Sequence, residues 1–142
     1  ASAETLARGA AEVFEAQKSP GNEAAARATL ALALLAEGNR TQAEREIDRA
    51  RTLVTSPQQV LFRFPVAIAA GRIAGAANPP AGLQALETVR ADAVKRGIPR
   101  FEFEARRAIG EIEAQRSPER GEQVRAELAR DAAAKGFRLY AR

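Results

Sequence analysis

Apolar residues along this chain recur every three to four positions, the period of one face of an α-helix. Leu6, Ala10, Val13 and Phe14, with Gln17, share one face of a segment from about residue 3 to 18. Ala26, Leu30 and Leu34 do so in a second from about 23 to 37, and Ala43, Ile47, Ala50 and Val54 in a third from about 41 to 54. A fourth runs from near Pro57 to near Ala74. Its internal Pro65 removes a backbone donor and crowds the preceding turn, which predicts a kink or a split. A fifth, about 80 to 96, aligns Leu83, Leu86, Val89 and Ala93. A sixth, about 100 to 115, aligns Phe101, Ala105, Ala108, Ile109 and Ile112. A seventh, about 118 to 135, aligns Val124, Leu128, Ala132 and Lys135, and the tail after Gly136 carries Phe137, Leu139 and Tyr140, which cap the last helix or continue it.

Turn chemistry punctuates these segments. Ser19-Pro20-Gly21-Asn22, Gly38-Asn39 and Gly97-Ile98-Pro99 read as breaks. Ser56-Pro57, Asn78-Pro79 and Ser117-Pro118 each put a capping oxygen before a proline suited to the first helical turn. Ser56 to Gln59 and Asn39 to Gln42 also have capping-box spacing. Acid–arginine pairs such as Glu23–Arg27, Glu102–Arg106 and Glu87–Arg90 sit three or four residues apart, as on solvated helix faces.

Composition sharpens the fold class. The chain has 142 residues, hydrophobic content is 46% and aromatic content only 5%. Alanine supplies most of the apolar share, so the expected core is thin and spread along closely packed helices. There is no cysteine and no histidine. That removes thiolate chemistry, disulfides and the commonest general base and transition-metal ligand. Methionine is absent as well, initiator included, which leads us to expect a piece of a longer protein. The longest apolar run, Ala28 to Ala36, is interrupted by Thr29 and falls well short of the roughly 20 residues that span a bilayer. No membrane insertion is therefore expected. The expected location is cytoplasmic; the opening Ala-Ser-Ala leaves a periplasmic or secreted chain, after signal cleavage, as the alternative.

The breaks near residues 20, 56, 98 and 136 divide the chain into hairpins of about 21–55, 57–97 and 99–136, preceded by the helix at 3–18. That is the period of a helical solenoid. In the first hairpin, Leu30-Ala31, Leu34, Gly38, Ala43, Ile47 and Ala50 give a large–small pair, a large residue one turn on, a glycine turn, then small–large–small. This resembles the tetratricopeptide repeat. Arg27 stands where that pattern has an early aromatic, and Thr55 where it has a closing proline. The stretches Ala28–Arg51, Arg63–Ala70, Glu104–Glu113 and Lys135–Arg142 also look like the C-terminal helical-repeat region of large bacterial multidomain proteins, where such repeats follow a Ser/Thr kinase, winged-helix or β-propeller domain. The resemblances imply an all-α, right-handed array of about seven helices in antiparallel hairpins, forming the tail of a signalling or regulatory protein.

No catalytic constellation emerges. Glu102, Glu104, Glu111 and Glu113 point in different directions around one helix. No serine has a histidine to activate it, and Gly71, Gly75 and Gly82 lack the lysine of a phosphate loop; Gly71 and Gly75 are spaced for close helix packing. The expected function is a non-enzymatic scaffold, without cofactor or metal, that binds a protein or peptide on the concave face of stacked hairpins. By repeat register Arg63, Arg72, Arg106 and Arg107 line or rim that face, so the ligand should be acidic. Arg63 and Arg72 stand out because they interrupt an apolar helix. The alternatives are a structural, homodimerising tail and a nucleic-acid binder using the arginines between Lys95 and Arg130. Against the latter, acids are interleaved throughout and base-stacking aromatics are few.

Overall fold

The computed structural model describes residues 2–141. Within them the chain is all-helical, with seven α-helices and no strand. The helices are α1 (Ala3–Ala16), α2 (Pro20–Ala36), α3 (Arg40–Thr52), α4 (Val60–Ala77), α5 (Pro79–Arg96), α6 (Pro99–Arg116) and α7 (Pro118–Ala134). Short 3-10 turns occupy Pro57–Gln59 and Arg138–Tyr140. Contacts divide the chain into two compact units, residues 2–73 and 74–141, with the division inside α4.

The predicted caps form at three starts. The hydroxyl of Ser56 accepts from the Gln58 amide and Gln59 answers to the Ser56 backbone, completing a capping box. Asn78 accepts from the Ala81 amide and Ser117 from that of Arg120. Asn39 makes no such bond. The first break is shorter than the sequence suggests. Pro20 opens α2 instead of ending α1, and only Gln17–Ser19 intervenes, with Lys18 in the left-handed region at φ 53°. Glycine sits there comfortably; lysine must accept crowding of its Cβ. Pro65 does not split α4. Its missing N–H frees the carbonyl of Leu61, an exposed residue where water can take the bond.

In the first unit α2 packs on both α1 and α3. The alanines of the repeat-like pattern, Ala31, Ala43 and Ala50, are fully buried, with Leu30, Leu34 and Ile47 between them. Val66, Ala69, Ala70 and Ile73 of α4 complete this core. With the turn before it, α4 makes a 21-residue helical stretch, Pro57–Ala77, whose most apolar 18 residues have a mean hydropathy of 1.5, long and apolar enough by length and composition to cross a bilayer. The expectation that no stretch reaches that length is therefore corrected. Arg63 and Arg72 break the run to the eye but leave the window average high. Burial of α4 residues in the first unit is the ordinary setting of a helix that is apolar all round.

Another departure lies at Arg27. Glu23–Arg27 reads as an exposed pair in sequence, yet Arg27 is only 5% exposed and Glu23 7%. The Arg27 Nε donates to Glu23 at 2.7 Å, Nη1 to Glu46 of α3 at 2.9 Å, and Nη2 to Glu15 of α1 at 3.1 Å. Burial pulls the pKa of this guanidinium down, and the carboxylates of Glu23 and Glu46 outweigh it, holding the group above its ordinary value.

In the second unit α6 packs on both α5 and α7. Left-handed Gly97, at φ 67°, closes α5, a conformation that costs glycine nothing. Next to the α6–α7 turn the backbones nearly touch. A Cβ on Gly121 would overlap Cα and Cβ of Ala114 and lie 2.9 Å from its nitrogen. Gly75 meets Ile112 in the same way at 2.6 Å, as its expected role in close helix packing requires. At the far end the tail folds back. Phe103 is fully buried, with the rings of Phe137 and Tyr140 at 5.2 and 6.0 Å. The tail therefore caps the last hairpin.

Arg27→Met leaves Glu23 and Glu46 without their shared cation and should lower unfolding free energy by about 3–5 kcal/mol, read as a fall in the urea midpoint. Replacing Glu23, Arg27 and Glu46 together with leucine or methionine should recover most of that loss, because no buried charge is then stranded.

Candidate partner-binding groove

The seam between α6 and α7 opens into a groove with a cavity of about 590 Å³. Helical spacing builds both walls. Arg107, Gly110, Glu111 and Ala114 fall on one stripe of α6; Pro118, Gly121, Arg125 and Leu128 fall on one stripe of α7. The floor is narrow at Ala114 and Gly121. It broadens past Gly110, whose Cβ position lies 3.3 Å from Val124, toward Leu128 and Tyr140, with exposed Leu139 at the rim.

Three arginines reach this groove and are held differently. Arg106 is anchored: its Nη2 lies 2.7 Å from Asp131 and its guanidinium stacks 5.9 Å from the centre of the Phe103 ring. Arg125 is paired with Glu122 on its own helix at 2.6 Å. Arg107 is exposed, and its nearest approach to Glu111 is 3.6 Å, too long for a hydrogen bond. It is the guanidinium on these walls most readily available to an incoming anion.

Tyr140 closes the broad end. Its hydroxyl donates to Glu104 Oε1 at 3.1 Å. Burial first, and then the adjacent carboxylate, disfavour the phenolate and push the pKa up to about 12. Glu104 thus braces the tail; Glu113 pairs with Arg120 across the hairpin at 3.1 Å. The four glutamates of α6 do not converge. Among the described residues no group of three His, Cys, Asp or Glu is placed to hold a metal ion.

The four arginines singled out by sequence divide between the units. Arg106 and Arg107 line the groove. Arg63 and Arg72 lie on α4, both half-buried. Nine residues at about 100° each turn the helix two and a half times, so these two leave it on opposite sides and do not share a surface. Sequence reasoning missed Arg125, Leu128 and Tyr140 as groove residues. The i, i+4 step from Gly121 to Arg125, continuing to Leu128, was the available signal. Comparison with family models, with curated proteins and with solved structures finds no match.

With one tyrosine and no tryptophan in the chain, the phenol can be titrated by ultraviolet absorbance. It should ionise near pH 12 in the folded protein, and near its ordinary value of 10.0 in denaturant. Because the folded pKa is the higher one, the stabilisation is intact below pH 10 and is lost as pH rises toward 12, by about 2 kcal/mol. Tyr140→Phe should abolish that alkaline loss while keeping the ring packing.

Proposed function

We propose that this chain is a non-catalytic, tetratricopeptide-like scaffold whose α6–α7 groove binds a short protein or peptide segment, as part of a bacterial signalling or regulatory protein. The observation that carries the reading is the groove itself, which sets exposed Arg107 and paired Arg125 near an apolar end made by Leu128, Leu139 and Tyr140. A segment with an acidic residue followed by apolar side chains fits that sequence of surfaces. The array reading is supported by the short connections and by the packing of α2 on α1 and α3 and of α6 on α5 and α7, the contacts that consecutive antiparallel hairpins would make. The buried small–large–small pattern from Leu30 to Ala50 supports it too.

The nucleic-acid alternative loses ground on charge. Of the cations between Lys95 and Arg130, Arg96, Arg100, Arg106, Arg120 and Arg125 each sit beside an acid, on Asp92, Glu104, Asp131, Glu113 and Glu122 respectively. A phosphate backbone would have to displace those acids.

Selection from a random displayed-peptide library, with the full chain as bait, tests the proposal. Selected peptides should share a carboxylate and neighbouring apolar residues. Arg107→Glu with Arg125→Glu should weaken them at least tenfold with an unchanged circular dichroism spectrum. Binding that survives this pair but falls with Arg63→Glu and Arg72→Glu would move the site to α4. No enrichment above background, or binding that only polyanions compete away, would sink the scaffold reading.

A further inference from the structure

A second surface is distinguished by what it lacks. The charged residues of α1, Glu4, Arg8, Glu12 and Glu15, all fall on one side of the helix. The other side, through Ala3, Leu6, Gly9, Ala10, Val13 and Ala16, carries no charge in a chain whose residues are 28% charged. Leu6 is 64% and Val13 52% exposed. Alongside, an open groove of about 520 Å³ between α1 and α2 continues the uncharged surface over Phe14, Asn22, Ala25 and Thr29.

Gly9 supplies an independent observation. A glycine inside a helix costs stability relative to alanine, so a reason for it is expected. Gly21, Gly75, Gly110 and Gly121 each have one, since a Cβ would press on a neighbour; Gly38, Gly97 and Gly136 have positive φ. At Gly9 the backbone is ordinary helix and nothing in the chain lies within 4 Å of the Cβ position. Close approach of a helix from outside the chain supplies the missing reason.

We propose that this face of α1 docks on the same face of a second copy of the chain, antiparallel about a two-fold axis passing between Gly9 and Ala10. The residue pattern is its own reverse about that point. Gly9 meets Ala10 of the partner subunit, where small side chains allow close contact. Three positions out on either side, Leu6 meets Val13 of the partner subunit, and beyond them Ala3 meets Ala16 of the partner subunit. A second copy supplies a face of the same length that is equally free of charge, so this pairing buries no unpaired ion. A bilayer is the poorer match, because acids outnumber bases on the rest of α1 and the basic flank that holds interfacial helices to anionic lipid is missing.

Sedimentation equilibrium of the full chain, from micromolar to millimolar, tests this. The wild-type protein should dimerise. Gly9→Arg, which has free space in the isolated fold, should keep or raise the thermal midpoint of the dilute protein while weakening dimerisation at least tenfold. Because the chain has no cysteine, Ala10→Cys should cross-link under oxidation and Asp48→Cys on α3 should not. A wild-type chain that stays monomeric, or a dimer indifferent to Gly9→Arg, overturns the proposal. So does wild-type binding to phosphatidylcholine vesicles that Gly9→Arg abolishes, with no dimer formed, which would assign the face to lipid.

Discussion

One guanidinium joins three helices of the first unit. Arg27 extends from α2 with Glu23 on its own helix, Glu46 on α3 and Glu15 on α1 all within hydrogen-bonding distance. The surrounding contacts are largely alanine on alanine, with Ala24, Ala31, Ala43 and Ala50 fully buried. Such surfaces let helices come close but discriminate poorly between registers, since one small side chain replaces another with little change in contact. A planar fork with fixed donor directions discriminates sharply, because a slip of one helical turn breaks charge-assisted bonds and strands buried carboxylates. The net free energy of the cluster is modest, as desolvation offsets much of the attraction. Its larger effect is to make one arrangement of α1, α2 and α3 far better than its neighbours.

The second unit reaches the same end with rings. Phe103 is enclosed by Phe137 and Tyr140, and Arg106 and Lys135 each lie within 6 Å of its centre. Aromatic packing is directional enough to fix where the tail returns. The Tyr140–Glu104 bond then ties the tail to α6. Glu104 is the only α6 glutamate in this contact, so a cluster that looks uniform in sequence divides into one brace, one interhelical partner in Glu113, and Glu111 in an ion pair with Arg107 on its own helix.

Helix existence and type were legible because the 3.6-residue period is strong and because proline after serine or asparagine marks a start by a simple mechanism. Two kinds of feature were not. Pro20 reads as a breaker when the left-handed residue that turns the chain is expected to be glycine; here Lys18 takes that conformation, and the break closes three residues sooner. Arg27 reads as surface because an i, i+4 pair looks the same whether it faces water or a third helix. Only the arrival of Glu46 from 19 residues away decides it. The groove was half legible. Arg106 and Arg107 are conspicuous as a doublet, whereas Arg125 and Leu128 become neighbours of that doublet only when α7 lies along α6.

The isoelectric point of about 10.3 invites a reading of this chain as a polyanion binder, yet the net charge is only +4. Arginine does not titrate near neutrality, so replacing lysine by arginine raises the isoelectric point without adding charge. What matters for recognition is which guanidiniums are already engaged. Arg27 and Arg106 are structural, locked by several partners or by a ring. Arg90 is satisfied by Glu87. Arg107 is neither: exposed, with an acid nearby but beyond hydrogen-bonding distance, it can accept a new partner without a buried group being stranded. Recognition at the groove therefore depends less on the number of arginines than on the helix geometry that leaves this one exposed beside an apolar wall. That geometry follows from the near contact of Gly121 with Ala114 at one end and the bulk of Leu128 and Tyr140 at the other.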